Sequence, residues 1–283
     1  MKVIVNLLKF ILITILAICM ISIGIITIMF STVFDKNYVI QKLEETNFYS
    51  GTYKLVESNF ENYIYQSGLD EQVLQGICTQ EKVEKDINIM LSNIYGGTDQ
   101  KIDTKEIADN LNTNIDKLGI KTKQNEDAIN KFVEHICNEY TDTLIHSQYE
   151  QKIHNVYVKL TEKLNEIYNI AFMMLIVSFI AILIVNRKKI SKDIQYFVIA
   201  MLATSAFQLI SYQIVQAKVN IQGIKIFNDV FSNSIVTIIQ DVFSKINSIA
   251  LGTFVIALLL NSIYVAIIVN KKTKENSEAE RKW

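Results

Sequence analysis

YNIAFMMLIVSFIAILIVNRKKISKD, residues Tyr168–Asp193, joins an uncharged apolar run to a cluster of basic residues. From Ile170 to Val185 there is no Asp, Glu, Lys, Arg or His. With Tyr168 and Asn169 as its interfacial start, the run approaches the roughly 20 residues that a helix needs to cross a hydrocarbon core of about 30 Å. It stops on Arg187, Lys188, Lys189 and Lys192, opposed only by Asp193. Lysine and arginine stay on the cytoplasmic side when a chain inserts, so the stretch reads as a membrane-spanning helix ending in a cytoplasmic turn.

Phe10–Phe30, Tyr196–Val215 and Ile249–Val269 are also free of those five residue types, and the chain contains no proline. The reading is an all-α integral membrane protein with four transmembrane helices. The run Phe10–Phe30 ends IITIMFSTVF, with bulky residues where a signal peptidase needs small ones, so it is expected to be a retained anchor. Lys271, Lys272 and Lys274 open the stretch after the fourth run. Together with the turn they place both termini in the cytoplasm. In residue ranges, 1–30 is the N-terminus and first span, and 31–168 an extracytoplasmic helical-bundle domain. The second span is 169–186, followed by a cytoplasmic turn at 187–194 and the third span at 195–215. An outer amphipathic loop at 216–247 leads to the fourth span at 248–270 and a disordered cytoplasmic tail at 271–283.

Charge segregates with this topology. Residues 31–168 hold 14 Lys/Arg and 23 Asp/Glu, a net −9, whereas the cytoplasmic pieces hold 11 basic and 4 acidic residues. A domain of that sign repels nucleic acid and other polyanions and attracts cations or basic proteins.

The domain reads as helical nearly throughout. Tyr49, Tyr53, Val56, Phe60 and Tyr63 recur at helical steps, an aromatic stripe expected to be core. YQSGLDEQVLQGICTQEKV, Tyr65–Val83, carries a serine, acids and a cysteine. It has no Gly-x-Ser-x-Gly elbow and reads as a corner: Gly68 ends one helix, and Asp70 and Thr79 cap the next two. Gly96 and Gly97 end the helix that Thr79 begins, Asp103 with Glu106 resembles a capping box, and Gly119 closes the helix after it. DNLNTNID lacks the Asp-x-Asp-x-Asp-Gly loop of a calcium site. From Ile120 the apolar spacing runs into the second span as one long helix or two collinear ones. The first span is expected to continue outward through NYVIQKLEETN, so that the domain stands on two helical stalks. A stripe through Phe227, Phe231, Ile235, Ile239, Val242 and Ile246 either lies on the membrane surface or packs under the domain, and packing is favoured.

Candidate chemistry is sparse. Cys78 and Cys137 read either as a disulfide in an oxidising compartment or as two core thiols. His135, Glu139, Asp142, His146 and Glu150 share one helix face with residue types that hold metals, though the histidines are about 16 Å apart at the helical rise; a solvated face is the plainer reading. Thr204, Gln208, Ser211, Gln213, Asn261 and Ser262 are polar groups in the spans, suited to hydrogen bonds between helices. No cofactor is expected.

NFYSGTYKLVESNFENYIYQSGLDEQVL and EKVEKDINIMLSNIYGG are similar to stretches of uncharacterised four-span membrane proteins of low-GC Gram-positive bacteria. The layout also resembles ABC-type permease subunits of the division site, although NRKKISKD is a tight turn where those permeases use longer cytoplasmic elements. The resemblances imply a location and a transport-complex alternative. The leading expectation is a non-enzymatic membrane protein whose outer domain binds or senses an envelope component or partner protein. Its partners would be the bilayer, another membrane or envelope protein, or a second copy of the chain. Transport and an envelope metalloenzyme or hydrolase are the alternatives.

Overall fold

Short polar side chains and glycines cut the chain into helices largely where the sequence places them. In the computed structural model, which describes residues 2–144, 147–186, 190–225 and 228–280, the order is α1 Lys2–Phe30, α2 Lys36–Glu45, α3 Phe48–Ser67, α4 Gln80–Gly96, α5 Lys105–Lys117, α6 Glu126–Leu144, α7 Ser147–Asn186, α8 Ile190–Lys218 and α9 Asp229–Glu280. Two 3₁₀ turns, Glu71–Leu74 and Ile221–Gly223, complete it, and no strand occurs among the described residues. His146, Arg187, Lys188, Lys189 and Phe227 lie outside the described residues.

Gly68, left-handed at φ 71, ends α3. The Asp70 carboxylate accepts from the Gln72 N–H at 2.9 Å and the Thr79 hydroxyl from the Lys82 N–H at 3.2 Å, each satisfying a donor that a helix start leaves free. The expected capping box at α5 takes another form. Its N-cap is Thr104, without a side-chain cap bond, and Asp103 accepts from the Lys105 N–H at 2.9 Å.

Two expectations change, and one open alternative is narrowed. The first span does not continue as a single rod. α1 ends at Phe30, the buried Thr32 hydroxyl folds back onto the Ile28 carbonyl at 2.6 Å, and the Asp35 carboxylate caps a new helix at Asn37. The tail is not disordered over 271–280, where α9 continues to Glu280 because neither glycine nor proline interrupts it. Cys78 and Cys137 are free thiols, not a disulfide, their sulfurs facing the Thr79 and Thr104 carbonyls at 3.7 and 3.8 Å.

The chain divides into two units. Residues 33–161 with 224–238 form one, with a single apolar core. Tyr49, Val56 and Phe60 of the aromatic stripe are buried there, while Tyr53 and Tyr63 pack against it half-buried. The start of α9 packs into the same core through Val230, Phe231 and Ile238; of the stripe expected to pack under the domain, Phe231 is the one described member in that core, while Ile239, Val242 and Ile246 belong to the other unit. Phe231 meets Phe48 edge-on at 4.8 Å, Val230 lies over Gly51, and the Ser234 and Thr46 hydroxyls are 2.8 Å apart.

The other unit comprises 1–32, 162–223 and 239–283. Four helices, within α1, α7, α8 and α9, are long and apolar enough to cross a membrane. α1 packs on α8 around Leu16, Ala17 and Ala200, with Ile182 of α7. The two helices run parallel: Lys9 lies over Tyr196, the Thr204 hydroxyl donates to the Ala17 carbonyl at 3.3 Å, and Gly24 faces Gln208.

Gly51 gives a test of α9 docking. A Cβ there would sit 2.9 Å from Val230 Cγ1, closer than real contacts. Gly51→Ala is expected to lower the melting temperature, despite the gain of about 1 kcal/mol that alanine brings to a helix interior. In a Val230→Ala background the same substitution is expected to raise it. Circular dichroism melts of the four proteins check the reversal.

Candidate functional site

Tyr53, Glu57, Phe60 and Glu61 fall on one face of α3, because steps of three and four return a helix to the same side. After Gly68 the chain doubles back, and the 3₁₀ turn with Gln75–Cys78 faces those residues across a cavity of about 780 Å³ open to solvent. Phe60, Ile77 and Cys78 are buried at its floor, and Glu57, Glu61 and Glu71 stand exposed at its rim. No lysine or arginine lines it. None of the three carboxylates forms an ion pair among the described residues. The corner Tyr65–Val83 is thus a corner, as read, and also one wall of this cleft.

The Tyr53 hydroxyl donates to Glu57 at 2.5 Å, and that bond, with burial, pushes its phenol up to about 12. Burial foremost pushes the Cys78 thiol up to about 12. At neutral pH it is a protonated wall group, not the thiolate a nucleophile requires. Three carboxylates without a cationic partner, beside aromatic rings, are suited to hold an ammonium or guanidinium group through charge-assisted hydrogen bonds and cation–π contact.

Under the cleft lies a buried polar network. Asp86, 2% exposed, accepts from the Tyr140 hydroxyl at 2.6 Å and pairs with Lys82 at 3.1 Å. Lys82 Nζ also donates to the Asp103 carbonyl at 2.7 Å and lies 5.7 Å above the Tyr140 ring. Burial and the bond to Asp86 hold the Tyr140 phenol far above its ordinary value. A second knot centres on Asn93. Its amide donates to Glu150 Oε2 and to the Gln100 carbonyl, both at 2.8 Å, while its oxygen accepts from the Thr98 hydroxyl and the Gln100 N–H. Beside it His154 Nδ1 lies 2.8 Å from the Ile94 carbonyl. Gly97, left-handed at φ 64, leaves room for that ring, which a Cβ would meet at 2.8 Å.

Four members of the metal-type stripe, His135, Glu139, Asp142 and Glu150, are among the described residues of α6 and α7. His135 stacks on Tyr63 with ring centroids 4.2 Å apart, and Glu150 is engaged by Asn93. Among the described residues no three His, Cys, Asp or Glu side chains are placed to share a metal. Of the polar groups in the spans, Thr204 and Gln208 are buried against α1, Gln213, Asn261 and Ser262 are exposed, and Ser211 is half-buried.

Asp86 and Asn93 were legible in one respect. Each sits within the apolar spacing Val83–Ile87–Met90–Ile94, where a polar residue must bring its partners into the core. Their partners, 54 and 57 residues away, have no local signature. No protein family matches the chain, and neither a curated protein nor a solved structure does.

Tyr140→Phe is expected to destabilise the unit by about 2 kcal/mol, the scale of a hydrogen bond to a charged group, as read from urea unfolding. Alkali has a defined sign. Tyr49, Tyr53 and Tyr95 are raised to about 12, so the unfolded chain releases these protons first. Their contribution is whole below about pH 10 and lost as pH rises towards 12. Melting temperatures from pH 8 to 12 check this, with Tyr95→Phe expected to blunt the fall.

Proposed function

We propose that this chain is a non-enzymatic protein of a bacterial cell membrane, crossing it four times. Its acidic domain, residues 31–168, lies outside and binds a basic segment of an envelope or membrane partner. One observation carries the reading: the cleft of about 780 Å³ whose rim holds Glu57, Glu61 and Glu71 with no cationic side chain among its lining residues. The net −9 of the domain adds long-range attraction for a cation, and the aromatic side chains at the cleft offer faces for its methylenes and its charge.

The parallel packing of α1 on α8 supports the topology. Spans one and three of a four-span chain run in the same direction. Lys9 near the start of α1 and Lys192 near the start of α8 then belong to one side, the side that basic residues favour. Of the donors that the metalloenzyme alternative would use, Glu150 accepts from Asn93 and the His135 ring stacks on Tyr63.

Fluorescence anisotropy of a labelled lysine-rich peptide with the full chain in detergent tests the binding. The expected result is a complex that weakens with salt and is lost by at least about 10-fold in the triple variant Glu57→Gln, Glu61→Gln, Glu71→Gln, given about 1.4 kcal/mol per decade. Undiminished binding by the triple variant overturns the assignment of the cleft. Sidedness is checked separately in intact cells with a membrane-impermeant maleimide. Gln72→Cys is expected to react, and Lys192→Cys to react only after lysis.

A further inference from the structure

Along the seam of α1 and α8, within the apolar unit, runs a second cavity of about 490 Å³ with a polar end and an apolar body. Asn6, Lys9 and Tyr196 form the polar end. Beyond it the walls are Phe10 and Phe207, and the small side chains of Ala17 and Ala203 let the slot sink between the helices. Thr14 turns its hydroxyl onto the Phe10 carbonyl at 3.0 Å, so it asks nothing of an occupant. We propose that this slot is a binding site for one acyl chain of an anionic phospholipid, whose phosphate is held by Lys9 and Asn6.

Length, polarity and charge each support that occupant. From Lys9 to Ile21 of α1 the slot extends about 18 Å at the helical rise, close to one leaflet of a hydrocarbon core of about 30 Å. Its polar groups gather at one end only, as a lipid requires and a soluble phosphate ester does not. Lys9 Nζ lies 5.5 Å from the Tyr196 ring centroid and pairs with no carboxylate among the described residues. The tyrosine holds the ammonium at the mouth, and its charge is left to complement an anion. A basic residue near the headgroup level favours anionic lipid. The site rests on the chain being a membrane protein, not on ligand binding by the acidic cleft.

The test uses the full chain, delipidated in mild detergent and titrated with phosphatidylglycerol or phosphatidylcholine of matched acyl chains, bound lipid being counted by native mass spectrometry. Phosphatidylglycerol is expected to be retained about five-fold better, the preference that one lysine gives near an anionic headgroup. Lys9→Gln is expected to erase the preference while retaining phosphatidylcholine, and Lys9→Arg to keep it. Ala203→Phe, which fills the slot, is expected to reduce retention of both lipids. Equal retention by the wild type, or a preference unchanged in Lys9→Gln, overturns the proposal. So does displacement of the bound lipid by soluble glycerophosphoglycerol at equal concentration, which would show that the headgroup alone is recognised. If light scattering finds a wild-type dimer that Ala203→Phe dissociates without changing bound lipid, the occupant is a second copy and the proposal fails. Resistance of the chain to carbonate extraction from membranes separates a failed lipid site from a failed membrane assignment.

Discussion

A carboxylate 2% exposed in an apolar core is the constraint on which the helical unit turns. An ionised group cannot be left there unpaired without a cost of several kcal/mol, so the positions of its partners are effectively fixed. Tyr140 must stand within hydrogen-bond reach of Asp86, which sets the register of α6 against α4. Lys82, one turn earlier on α4, must fold its stem over the Tyr140 ring to neutralise the charge. Its remaining donor holds the Asp103 carbonyl, and thereby the approach to α5. Apolar burial alone would allow these helices to slide, because hydrophobic attraction has no direction. The Asp86 network supplies direction at the point where three elements meet.

What the sequence made legible follows the range of the forces involved. Caps are local, so Gly68, Asp70, Thr79 and Gly97 could be placed by inspection, and the structure has them in those roles. Hydrophobic length is local too, and the four apolar runs became four helices long enough to cross a membrane. The break after α1 was missed because Asp35 is a weak cap signal inside a continuous helical pattern. The continuation of α9 was missed because charged residues read as tail when nothing is known of the helix feeding them. Both networks and the seam cavity escaped for one reason: each is made by residues distant in sequence, and periodicity carries no information about which faces meet.

The apolar unit answers to a different constraint. Hydrocarbon offers no hydrogen bonds, and two helices gain little from apolar contact that lipid would not also provide. Close approach through small residues and a few polar contacts must then set the pair. α1 and α8 meet through Ala17, Ala200 and Gly24, with the Thr204 hydroxyl on a backbone carbonyl and the Gln208 amide, 2% exposed, beside Gly24. Ala17, which permits the approach, also lines the slot along the seam, so packing and cavity share that residue.

The cleft arises in the same way from a feature that looked purely structural. A chain reversing at Gly68 must lay its next residues back along the helix it has just left. Here those residues are a one-turn 3₁₀ helix and the turn Gln75–Cys78, too short and too irregular to fill the surface of α3. A longer helix in that place would have packed against Tyr53 and Phe60 and closed the gap. The same reversal brings Glu71 across from Glu57 and Glu61, and acids placed together without cations favour a bound cation by mutual repulsion. Tyr65–Val83 reads from sequence as a corner, and the poor fit of that corner to the helix behind it is what opens the cleft.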